Sequence, residues 1–414
     1  MLKLSEIDLS SSAFWNQSLE DRDHAFDLLR EHNAVSWQAP PLEFAPQGLR
    51  PPRGYWAVTR HADIRKVHRD SKLYSAASGT FLFDNMSLED EYIAAGMMGT
   101  DPPRHTHLRK LVELTFTSRT LSRIKARIEL RALDRVKAVA PLGECDFKEL
   151  VDPLPRLMVC DLLGIPEADH AELARLVHLV TAGSGPDGYE NSLQASRDIA
   201  DYTVRLARER AVAPQDDLLT LLVNAEVDGQ RLSETDLGAM AHLLIVAGID
   251  TTAATLHNSL LAFDEFPSER ARLLGDFNRY IETAADEIVR WATPGLYIRR
   301  VATDDAHIGD QKIAKGDNVV LWFRSGNRDE RAFTDPYRFD VSRSPNPHLG
   351  FGGGGRHYCL GNELAKMEIR AMWAVLLKYL PDIHHVGPVR YLPTPQYLIT
   401  EGDMRCRFTA TEVA

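Results

Sequence analysis

The sequence has few cysteines, no excess of positive charge and no long hydrophobic run, and each shortage excludes a class of protein. Four cysteines in 414 residues, with no Cys-x-x-Cys pair, indicate neither a disulfide scaffold nor a structural zinc site. With 48 Lys and Arg against 59 Asp and Glu, the net charge of −11 gives no overall basic field to attract nucleic acid. No window reaches the roughly 18 apolar residues of a membrane span, and the N-terminus has no signal-peptide core. We therefore expect a soluble, cytoplasmic protein.

The chain is long enough for two or three domains of ordinary size, yet nothing in it marks a boundary. No Ser/Gly-rich linker, low-complexity tract or internal repeat interrupts it. From about residue 106 to 223 the apolar residues recur mostly three and four positions apart, as in helices, whereas strand-like runs such as 318–323 are short. We predict a single domain over residues 1–414, mainly α with small β-sheets.

The longest predicted helix begins after Ser233, which can form a variant of the capping box with an acidic residue three positions later. Nothing need end this helix before Pro267, so it is about 50 Å long and must run through the core. Its middle is apolar on nearly all sides, as in a buried helix. Gly248, Asp250 and Thr251 are poor mid-helix residues and stand out against this background.

A glycine-rich loop, Phe-Gly-Gly-Gly-Gly-Arg-His-Tyr-Cys-Leu-Gly, occupies residues 351–361. We expect Cys359 to open a helix that runs to Leu380. At the start of a helix, unsatisfied backbone N–H groups and the helix dipole stabilise a thiolate and keep it a strong ligand. The glycines let the backbone pack flat against a large planar partner. One alternative is a glycine-rich turn with an incidental buried cysteine. Another is a phosphate-binding loop, which lacks its Gly-Lys-Ser/Thr ending here.

The loop resembles the signature of the cytochrome P-450 family, Phe-Gly-x-Gly-x-His/Arg-x-Cys-x-Gly, and further motifs extend the resemblance over nearly the whole chain. The resemblance implies a haem-thiolate fold in which Cys359 ligates the iron of haem b and Phe351 belongs to the cofactor site. Phe351 lies eight residues before Cys359, one more than is usual. This longer loop is similar to that of actinobacterial sterol and branched-lipid hydroxylases of the family.

Two further motifs of the family lie before the loop: Glu-x-x-Arg at 287–290 and Pro-Tyr-Arg-Phe at 336–339. Glu287 and Arg290 share one helical face, and alone they would be an ordinary surface salt bridge. The resemblance implies that Arg338 joins them in a buried ionic triad. Because a buried charge network is costly unless fully paired, we expect it to form a fixed wall behind the cofactor rather than to add stability.

The stretch Ala-Gly-Ile-Asp-Thr-Thr at 247–252 matches the family's segment in the long central helix. The resemblance implies that Gly248 leaves a gap beside the oxygen site and that Asp250 and Thr251 relay protons to it from solvent. The alternative is a Ser/Thr helix kink with no catalytic role.

His105 and Arg109 lie four apart, after Asp101, which can cap their helix. The family places a His-x-x-x-Arg pair here to hold the haem propionates, and Arg300 and His357 should complete this anion clamp. A zinc site at His105 and the nearby second histidine is the weaker alternative, because no carboxylate or Cys accompanies them.

The resemblance implies a monooxygenase that inserts one oxygen atom from O2 into a hydrophobic small molecule, with a steroid, terpenoid or branched lipid favoured. Electrons would come from NAD(P)H through a reductase and a ferredoxin. A secondary-metabolite tailoring oxidase, acting for example on a polyketide, stays open. A non-catalytic haem-binding protein would need Cys359 but not Asp250 and Thr251.

The segments that the motifs leave free are strongly apolar, and together they indicate a sizeable lipophilic pocket. Each of these residues alone is more often core than pocket wall. The predicted pocket residues are Phe81, Phe83, Met97, Leu243, Leu244, Leu296, Tyr297, Ile298 and Tyr397.

Overall fold

The computed structural model describes residues 2–44, 53–77, 79–80, 88–114, 118–182 and 188–411, and their fold is mainly α with small sheets, as predicted. The helices of these ranges are α1 (Ser12–Trp15), α2 (Leu19–His32), α3 (His61–Arg69), α4 (Leu88–Ala95), α5 (Arg104–Glu113), α6 (Ser118–Val139), α7 (Phe147–Val151), α8 (Pro153–Leu163), α9 (His170–Ala182), α10 (Tyr189–Val212), α11 (Leu218–Asn224), α12 (Glu234–Glu265), α13 (Pro267–Gly275), α14 (Phe277–Ala292), α15 (Phe323–Gly326) and α16 (Asn362–Tyr379).

The strands are short and form one five-stranded sheet and several smaller ones. They are β1 (Val35–Gln38), β2 (Tyr55–Val58), β3 (Tyr74–Ser75), β4 (Glu144–Asp146), β5 (Glu226–Val227), β6 (Gln230–Arg231), β7 (Tyr297–Ala302), β8 (Ala306–Ile308), β9 (Gln311–Ile313), β10 (Asn318–Trp322), β11 (His384–His385), β12 (Arg390–Tyr391), β13 (Thr400–Glu401) and β14 (Arg405–Arg407).

The largest sheet has the order β1-β2-β10-β7-β3, and a second sheet has the order β11-β14-β4. In the first sheet β10 runs parallel to β2 and antiparallel to β7, with Val319 of β10 opposite Arg300 of β7. The whole of β7 is buried, so this sheet carries Arg300 into the interior. The second sheet joins a strand from the middle of the chain to two strands near its end, because β14 pairs with both β4 and β11.

The central helix α12 has the predicted bounds. Ser233 caps it, and the Asp236 carboxylate accepts the Ser233 backbone N–H in a capping box. Its 32 residues give a length of about 48 Å. Among the described residues it is the one helix long and apolar enough to cross a membrane, but 61% of its hydrophobic window is buried inside the protein. Such burial is typical of a core helix.

Three clusters of buried side chains form the core. The largest surrounds α12 with residues from α6, α8, α10, α14 and α16. The second is aromatic: Trp15 stacks on Trp322 with ring centroids 5.3 Å apart. The third lies between α3 and the large sheet. The glycine-rich loop lies between the buried end of α14 and the start of α16, beside α3.

Candidate active site

The loop at 351–361 depends on its glycines. Residues 352–355 all have positive φ, between +60° and +93°, a backbone region that disfavours other residues. A Cβ on Gly354 would lie 2.9 Å from the Arg69 guanidinium, and one on Gly353 would lie 2.8 Å from Leu349. The loop therefore packs tightly against the end of α3, and the extra glycine is accommodated there.

Cys359 lies at the end of this loop, three residues before α16. The prediction that it opens the helix is wrong, because α16 begins at Asn362 with Gly361 as its N-cap. The Cys359 backbone N–H donates to the Phe351 carbonyl at 3.0 Å, and Asn362 Nδ2 donates to the Cys359 carbonyl at 2.8 Å. Burial raises the pKa of the Cys359 thiol, while the Gly361 N–H and the Arg109 cation favour its thiolate. A cationic metal on the sulfur would offset the cost of burying this anion.

A cluster of buried basic side chains lies beside the cysteine loop. The rings of His105 and His357 have their centroids 4.2 Å apart, and both lie close to Arg300. Burial, followed by the nearby cations, lowers the pKa of His105 to about 4 and that of His357 to about 2. Burial lowers the pKa of Arg300 to about 10, against the favourable charge of Asp101. An anion placed among these groups would favour their protonated forms and raise their pKa values.

This cluster fits the carboxylates of a haem. Within the part of the chain that the structure describes, Arg300 Nη2 and His357 Nε2 are buried and have no hydrogen-bond partner. Buried donors without partners are rare and costly, and a carboxylate would accept from both. One thiol, one buried arginine and two histidines, beside a glycine-rich loop, suit a planar iron macrocycle with two acidic side chains.

Arg109 contacts the cysteine loop directly. Its Nη1 donates to the carbonyls of Arg356 and Tyr358, at 3.1 and 2.7 Å, and its Nε pairs with Glu113 at 2.7 Å. Arg109 therefore holds the backbone of this loop, and its predicted role towards the propionates stays a prediction. Asp101 does not cap α5. Its carboxylate binds Ser75 and the Ala76 N–H instead.

Asp250 and Thr251 occupy the middle of α12. Burial raises the pKa of Asp250 to about 6, although a hydrogen bond from Thr181 of α9 favours the carboxylate. The Thr251 hydroxyl donates to the Ala247 carbonyl at 2.6 Å, which leaves its oxygen lone pairs available as acceptors. Tyr397 lies close enough for the Asp250 charge to raise its pKa, after the larger effect of burial.

Gly248 lies where α8 approaches α12 closely. A Cβ at this position would lie 2.9 Å from Val159 Cγ2, so a larger residue would need a shift of the Val159 side chain. Helix packing therefore favours a glycine here, and the predicted gap beside the oxygen site stays a prediction.

The ionic triad exists, but its third member is Arg343 and the assignment of Arg338 is wrong. Arg290 donates to both Glu287 carboxylate oxygens, at 2.7 and 2.8 Å, and both side chains are fully buried. Arg343 Nε lies 3.1 and 3.2 Å from the same two oxygens. The Arg338 side chain is 56% exposed and lies 3.9 Å from Glu269. Only its backbone takes part, because the Arg338 carbonyl accepts from Arg290 and Arg343.

The predicted pocket residues divide into groups. Met97 belongs to the main core, and Leu243 and Leu244 of α12 are partly buried and pack against that core. Leu296 and Tyr297 belong to the aromatic cluster of Trp322, and Ile298 belongs to the third cluster. Their predicted place in the pocket wall stays a prediction. Phe81 and Phe83 lie outside the described residues.

Two contributions to the site have no motif in the sequence. His68 of α3 binds the Gly354 carbonyl through Nδ1 at 3.0 Å, and its ring lies 6.5 Å from that of His357. Thr181 of α9 binds Asp250. Both residues lie far from their partners along the chain, on ordinary helices, so no local pattern identifies them.

The chain is similar to characterised proteins along nearly its whole length. The model of the cytochrome P450 family matches residues 186–381. A methyl-branched lipid omega-hydroxylase of Mycobacterium tuberculosis is 38% identical over 387 residues, which cover 92% of this chain and 90% of that protein. A steroid C26-monooxygenase of Mycolicibacterium smegmatis is 37% identical over 81% of this chain and 79% of that protein. The structure of a Mycobacterium marinum cytochrome P450 in complex with pseudoionone is 40% identical, with a TM-score of 0.90, and the match covers 99% of this chain and 100% of that one.

Proposed function

Since the chain belongs to the cytochrome P450 family, we propose that this monooxygenase hydroxylates a methyl-branched lipid or the side chain of a steroid. The observation that supports the substrate class is the similarity to two relatives whose names specify such substrates, an omega-hydroxylase of methyl-branched lipids and a C26-monooxygenase of steroids. Leu243 and Leu244, which are partly buried on α12, are apolar and suit such a ligand. The same similarities favour lipid chemistry over the tailoring of a polyketide.

We propose the following residues for the haem. Cys359 binds the iron, and Arg300, His105 and His357 bind the propionates. A haem iron with a thiolate ligand would activate O2 with the help of two electrons. One oxygen atom would be inserted into a C–H bond of the substrate, and the other would be reduced to water. Arg109 fixes two carbonyls of the loop before Cys359.

We propose that Asp250 and Thr251 move the protons. Asp250 has a pKa of about 6, so at neutral pH it releases and regains a proton with little cost. Thr181 of α9 forms a hydrogen bond with this carboxyl group, and His178 of α9 lies close enough to favour its charged form. The Thr251 hydroxyl, one residue further along α12, holds a proton at the site where oxygen is reduced. A non-catalytic haem protein would have no use for this pair.

Electrons reach the haem from NAD(P)H through a ferredoxin reductase and a ferredoxin, in the cytoplasm, and residues 1–414 act as one catalytic domain. The membership of the cytochrome P450 family supports this electron path.

The proposal is tested by ligand binding and by product analysis. The haem-loaded enzyme is titrated with a methyl-branched fatty acid, a steroid with an intact side chain, pseudoionone and a straight-chain fatty acid of equal length. We expect Soret shifts with the branched ligands at lower concentrations than with the straight chain. With NADPH, ferredoxin, reductase and isotopically labelled O2, the product should carry one labelled oxygen atom. Absence of shift and of product with all branched ligands and steroids would overturn the substrate class.

A further inference from the structure

Cys145 and Cys406 lie side by side, although 261 residues separate them in the sequence. They are direct partners in the antiparallel pairing of β4 with β14, so their side chains are on the same face of the sheet. Their Sγ atoms are 3.5 Å apart, and Cys406 Sγ also lies 3.3 Å from the Cys145 carbonyl. Both are free thiols.

The backbone already holds the two residues at the separation that a disulfide requires. The pairs two positions away on either side are hydrogen-bonded: Phe147 N–H donates to the Met404 carbonyl at 2.8 Å, and Phe408 N–H donates to the Gly143 carbonyl at 3.0 Å. Hydrogen-bonded and non-hydrogen-bonded pairs alternate along antiparallel strands. Cys145 and Cys406 are therefore a hydrogen-bonded pair, with Cα atoms about 5.5 Å apart. A disulfide spans Cα separations of roughly 4.4–6.8 Å, so bond formation needs rotation of side chains only.

The two thiols differ in the ways that suit an attacking and a resolving cysteine. Cys145 is half-buried, and the hydrogen bond from Cys406 lowers its pKa. Cys406 is 1% exposed, and its pKa is raised by the same hydrogen bond and by burial. Cys160, in contrast, is buried in the main core, and burial raises its pKa to about 12. A thiolate is the reactive form, so Cys145 is the cysteine of this pair that an oxidant reaches first.

We propose that Cys145 and Cys406 are a modification site at which hydrogen peroxide forms a reversible cross-strand disulfide. The Cys145 thiolate attacks one peroxide oxygen, an S–O bond forms, the O–O bond breaks, and the departing hydroxide takes up a proton to become water. The Cys406 sulfur then attacks the Cys145 sulfur, the S–S bond forms, and the S–O oxygen leaves as a second water with the Cys406 proton. Two thiols are oxidised and one peroxide is reduced to two waters.

The oxidant is one that the enzyme itself can generate. A monooxygenase that passes two electrons to O2 without oxidising a substrate releases hydrogen peroxide. The disulfide would join β4, which leads into α7, to β14 near the end of the chain. It would close a loop of more than 250 residues, and long loops give the largest reduction in the entropy of the unfolded chain. The oxidised form should therefore resist unfolding more than the reduced form.

The test uses the full-length, haem-loaded protein, reduced and then exposed to graded hydrogen peroxide. Remaining thiols are alkylated after denaturation, and peptides are identified by mass spectrometry. We expect a cross-linked peptide pair containing Cys145 and Cys406, lighter than the two thiol peptides by two hydrogens and removed by dithiothreitol. The oxidised protein should have a higher melting temperature. Cys145→Ser and Cys406→Ser should each abolish the cross-link, whereas Cys160→Ala should keep it.

Two results would overturn the proposal. One is overoxidation of Cys145 to sulfinic or sulfonic acid while Cys406 remains fully alkylatable. The other is loss of thiols at the same rate in Cys145→Ser as in the parent, which would mean that the pair is not the reactive site. Neither result bears on the proposed hydroxylase activity, which the substrate titrations and product analysis test separately.

Discussion

At the scale of single residues, Asp250 is a carboxyl group whose burial raises its pKa to about 6. The folded state therefore binds this proton more tightly than the unfolded state, and the carboxyl's contribution to stability falls as pH rises from about 4 to about 6. Asp250→Asn removes this dependence. Relative to the parent, the variant should gain about 1–2 kcal/mol between pH 5 and pH 7.5, as measured by urea unfolding. A stability difference that stays constant over this range would mean that Asp250 is solvated.

Thr251 offers a second test at the same scale, with a neighbour as its control. Thr251→Ala should still consume NADPH and O2 but release hydrogen peroxide, because it loses the hydroxyl that we propose to hold a proton at the oxygen site. Product formed per NADPH should fall by roughly ten- to a hundredfold. Thr255 makes the same kind of bond one turn later, from its hydroxyl to the Thr251 carbonyl at 2.8 Å. Thr255→Ala should therefore keep its product yield, and an equal loss in both variants would contradict the assignment to Thr251.

The sequence identified some of these residues better than others, for a physical reason. Cys359, Asp250 and Thr251 stand out because each is a poor choice for its local environment, in a glycine-rich loop or a buried helix. The motif predicts Arg338 as the third member of the triad, but which groups an arginine side chain can contact depends on the path of the loop around it. That loop turns the Arg338 side chain to solvent and brings Arg343 onto Glu287.

At the scale of elements, the Glu287 carboxylate ties α14 to the loop that leads to the cysteine. Besides the two arginines it accepts the Asp340 N–H at 2.9 Å and Asn346 Nδ2 at 3.1 Å, so a fully buried charge is completely paired. Arg343→Ala leaves the Glu287–Arg290 pair in place, but it removes a charged donor from Glu287 and the donors to three loop carbonyls. The variant should therefore lose on the order of 1–3 kcal/mol of unfolding free energy and have a lower haem content.

Arg338→Ala is the matched control for this network, because its exposed side chain makes only a 3.9 Å contact with Glu269. It should change the unfolding free energy by no more than about 0.5 kcal/mol. Denaturant titration of both variants, with haem content measured in parallel, distinguishes the two arginines. If Arg338→Ala were the more destabilised variant, the network described here would be incorrect.

Element boundaries followed from the sequence where a local signal marked them. The capping box at Ser233 gave the start of α12, and Pro267 gave its end. The sequence pattern predicts the start of α16 three residues too early. The chain from Cys359 to Gly361 is held by hydrogen bonds with Phe351 and Asn362 rather than by the backbone hydrogen bonds of a helix. Such contacts leave no periodic trace in the sequence.

At the scale of the whole molecule, the remaining features depend on partners that are distant in sequence. His68 meets Gly354 across 286 residues, and Cys145 meets Cys406 across 261. Composition and periodicity describe neighbours along the chain, so they predicted a mainly α fold but could not show which segments meet. The motif order placed the cysteine, the central helix and the Glu-x-x-Arg helix in one site, and the fold brings them together around the main core.

The central claim is that Cys359 provides a thiolate ligand to haem iron, and the spectrum of the reduced carbon monoxide complex tests it most directly. The parent protein should show the red-shifted Soret band of a thiolate ligand. Cys359→Ser should lose that band, while Cys160→Ala, which removes a thiol buried in the core away from the loop, should keep it. A parent without the band, or a Cys359→Ser spectrum identical to the parent's, would contradict the account.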